Sequence, residues 1–109
     1  MKGDCVRQGD VLLIRTTKRS ITAAHKPVDR DSSGRVVLAY GEVTGHAHVL
    51  HDPGVCLLRA EGISDRVLTV ERLCELTHEE HASIPVGPGT YLVRTQREWA
   101  GEEVRNVAD

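Results

Sequence analysis

Phenylalanine is absent from this 109-residue chain, which carries only one Trp and two Tyr. Its core must therefore rest on Val, Leu and Ile. The stacked aromatic platforms by which single-strand-binding domains hold bases are not to be expected. A basic excess is also missing. The formal net charge is −2, whereas a general nucleic-acid binder carries a clear surplus of Lys and Arg. Arg15, Lys18, Arg19, Lys26 and Arg30 do gather in the first third, but in a polar setting that reads as a solvated loop. Cys5, Cys56 and Cys74 are odd in number and show no C-x-x-C spacing, which argues against a disulfide framework and a cysteine zinc knuckle. No apolar run approaches the roughly 18 residues of a membrane span, and residues 1–10 have no apolar signal-peptide core. The expectation is a cytoplasmic protein with no membrane partner. Gly87-Pro88-Gly89 has no Lys-Ser/Thr after it, so it is not a phosphate loop, and there is no Gly-x-Ser-x-Gly elbow.

The chain does have short apolar runs separated by turn residues. Val11-Leu12-Leu13-Ile14 reads as a strand buried on both faces, and Val36, Val37 and Leu38 head a second. Residues 42–50 continue as a third extended piece. Asp52-Pro53-Gly54 is a turn. Val55-Cys56-Leu57-Leu58 and Val67-Leu68-Thr69-Val70 are two further strands. Residues 72–81 are ambiguous between a strand and a short helical turn. Pro85-Val86-Gly87-Pro88-Gly89 reads as a turn before a final strand over residues 91–99. Residues 16–34 form a long polar loop, and residues 102–107 a short C-terminal helix. The pattern predicts one all-β, mainly antiparallel domain over residues 1–109, built as a small barrel or sandwich.

Four of the six histidines fall in two tight pairs. In Val43-Thr44-Gly45-His46-Ala47-His48-Val49-Leu50, strand alternation puts His46 and His48 on one face and the small residues on the other. Gly45 leaves space beside His46. In Leu76-Thr77-His78-Glu79-Glu80-His81, a helical turn would bring His78 and His81 to one side, whereas an ideal strand would separate them. Imidazoles with adjacent carboxylates suit a divalent metal such as Zn, Fe or Mn. His46, His48, His78 and His81 are the candidate ligands, with His51 as a substitute, and Glu79 or Glu80 is the candidate base. The i, i+3 spacing is not the i, i+4 pattern of zinc proteases. His25, in the basic loop, is incidental to this set, and Cys74 reads as a structural cysteine.

The segments Arg7-Gln8-Gly9-Asp10-Val11-Leu12-Leu13, Gly41-Glu42-Val43-Thr44-Gly45-His46-Ala47-His48 and Leu76-Thr77-His78-Glu79-Glu80-His81 resemble a family of small uncharacterised bacterial and phage proteins. Pro88-Gly89-Thr90-Tyr91 and Gln96-Arg97-Glu98 complete the pattern, which spans most of the chain apart from the 16–34 loop. The resemblance implies a phage or mobile-element context and assigns no catalytic role. The glycine-led His-x-His also resembles the cupin pattern loosely. It departs from it in lacking the downstream Glu and any histidine after Pro88-Gly89.

Three functional expectations follow. The first is metal-assisted hydrolysis, with a phosphodiester in a small molecule, nucleotide or RNA as the substrate. The second is a metal-free phosphodiesterase or ribonuclease using histidine acid–base pairs, with Arg94 or Arg97 stabilising the developing charge. The third is a non-catalytic interaction protein. Exposed strand edges would also allow a homo-oligomer.

Overall fold

The structure is a computed structural model that describes residues 5–41 and 45–95. Ten strands run in order: β1 (Cys5–Gln8), β2 (Val11–Thr16), β3 (Lys26–Pro27), β4 (Val36–Tyr40), β5 (Ala47–Leu50), β6 (Val55–Ala60), β7 (Ile63–Val70), β8 (Cys74–Leu76), β9 (Ile84–Val86) and β10 (Gly89–Thr95). Six of them make one sheet in the order β1-β2-β10-β7-β6-β3. All the pairings of named strands are antiparallel. The fold is therefore all-β, as the runs of apolar residues predict. The large sheet has two ends, β1 and β3, so it does not close into a barrel among the described residues.

The pairs β4-β5 and β8-β9 are joined by an antiparallel bridge between Val49 and Thr77. Val49 N–H donates to Thr77 O at 3.0 Å, and Thr77 N–H returns to Val49 O at 2.9 Å. The two hairpins thus form a second, smaller layer with β5 inside it. One apolar cluster lies between the layers. Val11, Leu13, Leu57, Leu68, Tyr91 and Val93 come from the large sheet, and Val36, Leu38, Leu50, Leu76 and Val86 from the small one. Burying each such Leu contributes about 1.5–3 kcal/mol relative to leaving it in water. The lack of Phe is met by many branched aliphatic side chains and the fully buried ring of Tyr91. Tyr91 donates its hydroxyl to Gly87 O at 2.7 Å and accepts from Arg15 at 2.9 Å, which satisfies the polar end of that ring.

Three strands escape a reading of apolar runs. β1 is polar, but it is half of a two-residue hairpin in which Gln8 faces Val11. Gly9 at φ +58°, followed by Asp10 at negative φ, matches a type II′ turn. β9 contains Pro85, where the sequence reads as pure turn. A strand tolerates Pro at an edge because the missing N–H is not needed there. β3 lies inside the predicted 16–34 loop and pairs with β6. A single 3-10 turn, Lys18–Ser20, precedes it. Arg30 ties the end of the same loop to the carbonyls of Gly34, Asp52 and Val55 at 2.7–2.9 Å. The proposed C-terminal helix lies outside the described residues. No described helix is long and apolar enough to cross a membrane.

Candidate functional site

Of the ambiguous stretch over residues 72–81, residues 74–76 are strand β8 and residues 78–81 are neither strand nor helix. The chain bends after Thr77, and the bend carries His78 and His81 back over the start of β5. His78 becomes the hub of four imidazoles. Its ring centre lies 4.3 Å from that of His48, 4.7 Å from His81 and 5.7 Å from His46. His48 and His81 stack at 5.8 Å. The two histidine pairs, separated by thirty residues of sequence, therefore make one cluster. His51 does not join it and lies exposed beside it, and His25 is held locally by Thr22.

His48 points inward rather than to an open face. It is 2% exposed, and all four residues of β5 are buried. Its anchor is Gln8, itself 2% exposed and on the edge strand of the other layer. The Gln8 amide nitrogen donates to Leu76 O and Ala82 O, each at 3.0 Å. Those two acceptors fix the amide orientation, so Gln8 Oε1 is left to accept from His48 Nδ1 at 2.8 Å. In the neutral ring that bond keeps the proton on Nδ1, and Nε2 lies 3.5 Å from Asp10 Oδ1, an ion pair when the ring is protonated. Metal-binding histidines are commonly oriented by just such a contact at the remote nitrogen.

His78 has the opposite tautomer. Glu80 N–H donates to its Nδ1 at 3.0 Å, so the neutral ring keeps its proton on Nε2. His46 Nδ1 is buried with no hydrogen-bond partner among the described residues, although Glu80 Oε2 stands within ion-pair range at 3.4 Å. Glu79 Oε1 accepts from Ala47 N–H at 3.0 Å. That bond and then its own backbone N–H hold the Glu79 carboxyl below its ordinary range against desolvation, with further help from the nearby His46 and His78. Donor atoms of His46, His78 and Glu79 lie within 4.8 Å of one another.

Glycines leave room for these rings. A Cβ at Gly9 would sit 2.7 Å from His81 Nε2, and one at Gly41 would sit 3.1 Å from His78 Nε2 and 3.2 Å from His46 Cβ. At Gly45, next to His46, no described atom beyond the chain neighbours lies within 4 Å of such a position. Its φ of +89° is a backbone conformation that favours glycine.

A family profile described as Domain of unknown function (DUF8820) matches residues 7–96. The chain belongs to that family. No curated protein and no solved structure shows significant similarity to it. The DUF8820 match begins at Arg7, next to Gln8, and so takes in the whole cluster. Among the arginines, Arg94 faces away from the cluster in an ion pair with Asp65 at 2.6 Å, and Arg97 lies outside the described residues. Cys74 is half-buried against the core, where loss of solvent pushes its thiol up. The sequence reading of this DUF8820 chain missed Gln8. The only available signal was its place beside the Gly9-Asp10 turn, in a segment that already carried the family resemblance.

Proposed function

We propose that the cluster holds a divalent transition metal, with His46, His78 and Glu79 as its first ligands and the Nε2 lone pair of His48 alongside. The observation that carries this reading is the meeting of three donor atoms within 4.8 Å. One of the contributing residues, His46, has a buried ring nitrogen with no hydrogen-bond partner among the described residues. Two imidazoles and a carboxylate suit zinc, iron or manganese, and three protein ligands leave positions open for a substrate. Uptake through His78 Nε2 requires the proton there to move to Nδ1, which opens the Glu80 contact, so loading should switch the His78 tautomer with no net proton release from the neutral ring.

The reaction class we propose is hydrolysis, with a phosphodiester as first substrate. The metal would supply Lewis acidity and activate water. Glu79 is engaged by Ala47 and faces the ligand group, which leaves Glu80, exposed and 3.4 Å from His46, as the base that takes the proton from water.

A second reading uses the same rings without metal. His48 offers a lone pair at Nε2 while His78 offers a proton at Nε2, with the rings 4.3 Å apart. Two adjacent histidines in opposite protonation roles are a general base and a general acid. Phosphodiester cleavage that survives a chelator would select this reading.

Elemental analysis of the purified, untagged protein tests the metal site. Near-stoichiometric zinc, iron or manganese is expected in the wild type. His46→Ala should lose it while keeping the wild-type β-sheet circular dichroism. Equal metal in both proteins, or none in the wild type, would overturn the assignment.

A further inference from the structure

A groove of about 270 Å³ runs along the other side of β5, lined by Arg35, Ala47, Val49, His51, Thr77, His78 and Glu79. Its placement follows from the pairing register. Val36 faces Leu50, so Arg35 and His51 stand opposite each other one position further out. Val49 faces Thr77, which puts Glu79 opposite Ala47. Alternation along β5 sends His48 and Leu50 inward and Ala47, Val49 and His51 into the groove. The groove therefore meets the histidine cluster at His78 and Glu79.

Arg35 is mounted firmly. Residues 31–34 turn with Gly34 N–H donating to Asp31 O at 2.9 Å. The Asp31 carboxylate accepts from Ser33 N–H at 2.9 Å and Arg35 N–H at 2.8 Å, and from Arg35 Nε at 2.8 Å. The guanidinium is thus gripped at Nε. Its two terminal amino groups have no hydrogen-bond partner among the described residues, and the side chain is 27% exposed. An oriented guanidinium with both amino groups available is suited to a bidentate oxyanion.

We propose that Arg35 and His51 form an anion subsite that takes the phosphoryl group of a substrate presented to His78 and Glu79. The choice of a phosphate ester rests on the hydrolase reading above. The binding of an oxyanion by Arg35 does not. The volume lies below the roughly 300–1,000 Å³ of sites that enclose a whole ligand, so the groove takes an end group. A tetrahedral phosphoryl group offers oxygens to both amino groups of Arg35 and keeps others for the His78 and Glu79 end of the groove. A planar carboxylate exhausts its two oxygens on one fork. Glu79 contributes the opposing charge, so phosphate should bind more tightly once a cation neutralises that carboxylate.

Titration with inorganic phosphate, followed by NMR on both metal-free and zinc-loaded protein, tests the subsite. Phosphate should shift the signals of the Arg35 Nε–H and of His51 while leaving Arg94, which is occupied by Asp65, unmoved. Arg35→Gln should weaken phosphate binding at least tenfold in both forms without changing metal content, and Arg35→Lys should recover part of the loss. Acetate should bind at least tenfold more weakly than phosphate. His51→Ala, which removes an exposed side chain, should weaken phosphate a few-fold and serves if Arg35→Gln does not fold. Phosphate affinity unchanged in these variants, or shifts at Arg94 instead, would overturn the subsite, and acetate binding as well as phosphate would overturn the phosphoryl assignment. Phosphate binding by a protein that takes up no metal would leave the subsite standing and remove the metal reading, so the two can fail separately.

Discussion

At the scale of single residues, the pocket depends on a neutral amide. Gln8 spends both of its N–H donors on Leu76 and Ala82 and its oxygen on His48. A charged or apolar side chain cannot meet all three demands. Gln8→Leu leaves two carbonyls and an imidazole N–H unpaired in the interior, at about 1–3 kcal/mol for each group that finds no water. Chemical denaturation should report that loss. It should also free His48 to move its proton to Nε2, which nitrogen NMR of the imidazole reads directly. Metal affinity should fall on the order of 10–100-fold, as is usual when the contact orienting a ligand is removed. An unchanged tautomer would show that Gln8 only fills space. Nothing in the residue type of Gln8 announces this role, because one polar residue on a polar edge strand looks solvated until its partners are known.

At the scale of elements, everything hangs on the two backbone hydrogen bonds between Val49 and Thr77. They join one hairpin bearing His46 and His48 to another bearing His78 and His81. Thr77→Pro removes the N–H that donates to Val49 and should part the hairpins locally. Hydrogen exchange at the Val49 amide should rise, and the protein should lose metal, while the amides of β7 and β10 in the large sheet keep their protection. Loss of protection throughout would instead mean that the two layers open as one unit. Strands β2, β4, β6 and β7 were legible as apolar runs because each buries more than one aliphatic side chain, and β10 as the extended run after the Pro-Gly turn. β1, β3 and β9 were not, since short edge strands are held by backbone bonds that leave little trace in side-chain pattern. The histidine pairs were legible by spacing. The bend that turns His78 and His81 to the same place is set by the β8–β9 hairpin and the bridge to β5, which no local pattern states.

At the scale of the whole molecule, the charged turns set the response to acid. Asp31 is held below the ordinary carboxylate value of 3.8 by the Arg35 backbone N–H, against some desolvation, with further help from the Arg35 side chain and Ser33. Asp65 is lowered chiefly by its hydrogen bond to Arg94. Both bind protons less readily folded than unfolded, so their contribution is complete above the unfolded value near 3.8. It is lost as the pH falls through their lower folded values. These two carboxylates should leave the urea midpoint unaffected above about pH 5 and lower it below that. Asp31→Asn combined with Asp65→Asn should make the acid limb shallower. A midpoint that rises as acid is added would contradict the assigned directions.

The amino-acid sequence alone determined the fold class and the chemistry on offer. Alternating and continuous aliphatic runs between turn residues can only be buried as strands, and two pairs of histidines beside two glutamates carry their ligating potential in their composition. Tertiary structure decided which of these groups meet. It buried His48 instead of exposing it and gave His48 and His78 opposite tautomers through Gln8 and the Glu80 backbone. It turned Arg94 away to Asp65 and brought Arg35, from the far end of a polar loop, to the groove beside His78. The reason is physical. A side chain's type is local, but its partners come from strand register and from contacts between layers, and those are fixed by where the aliphatic core can close.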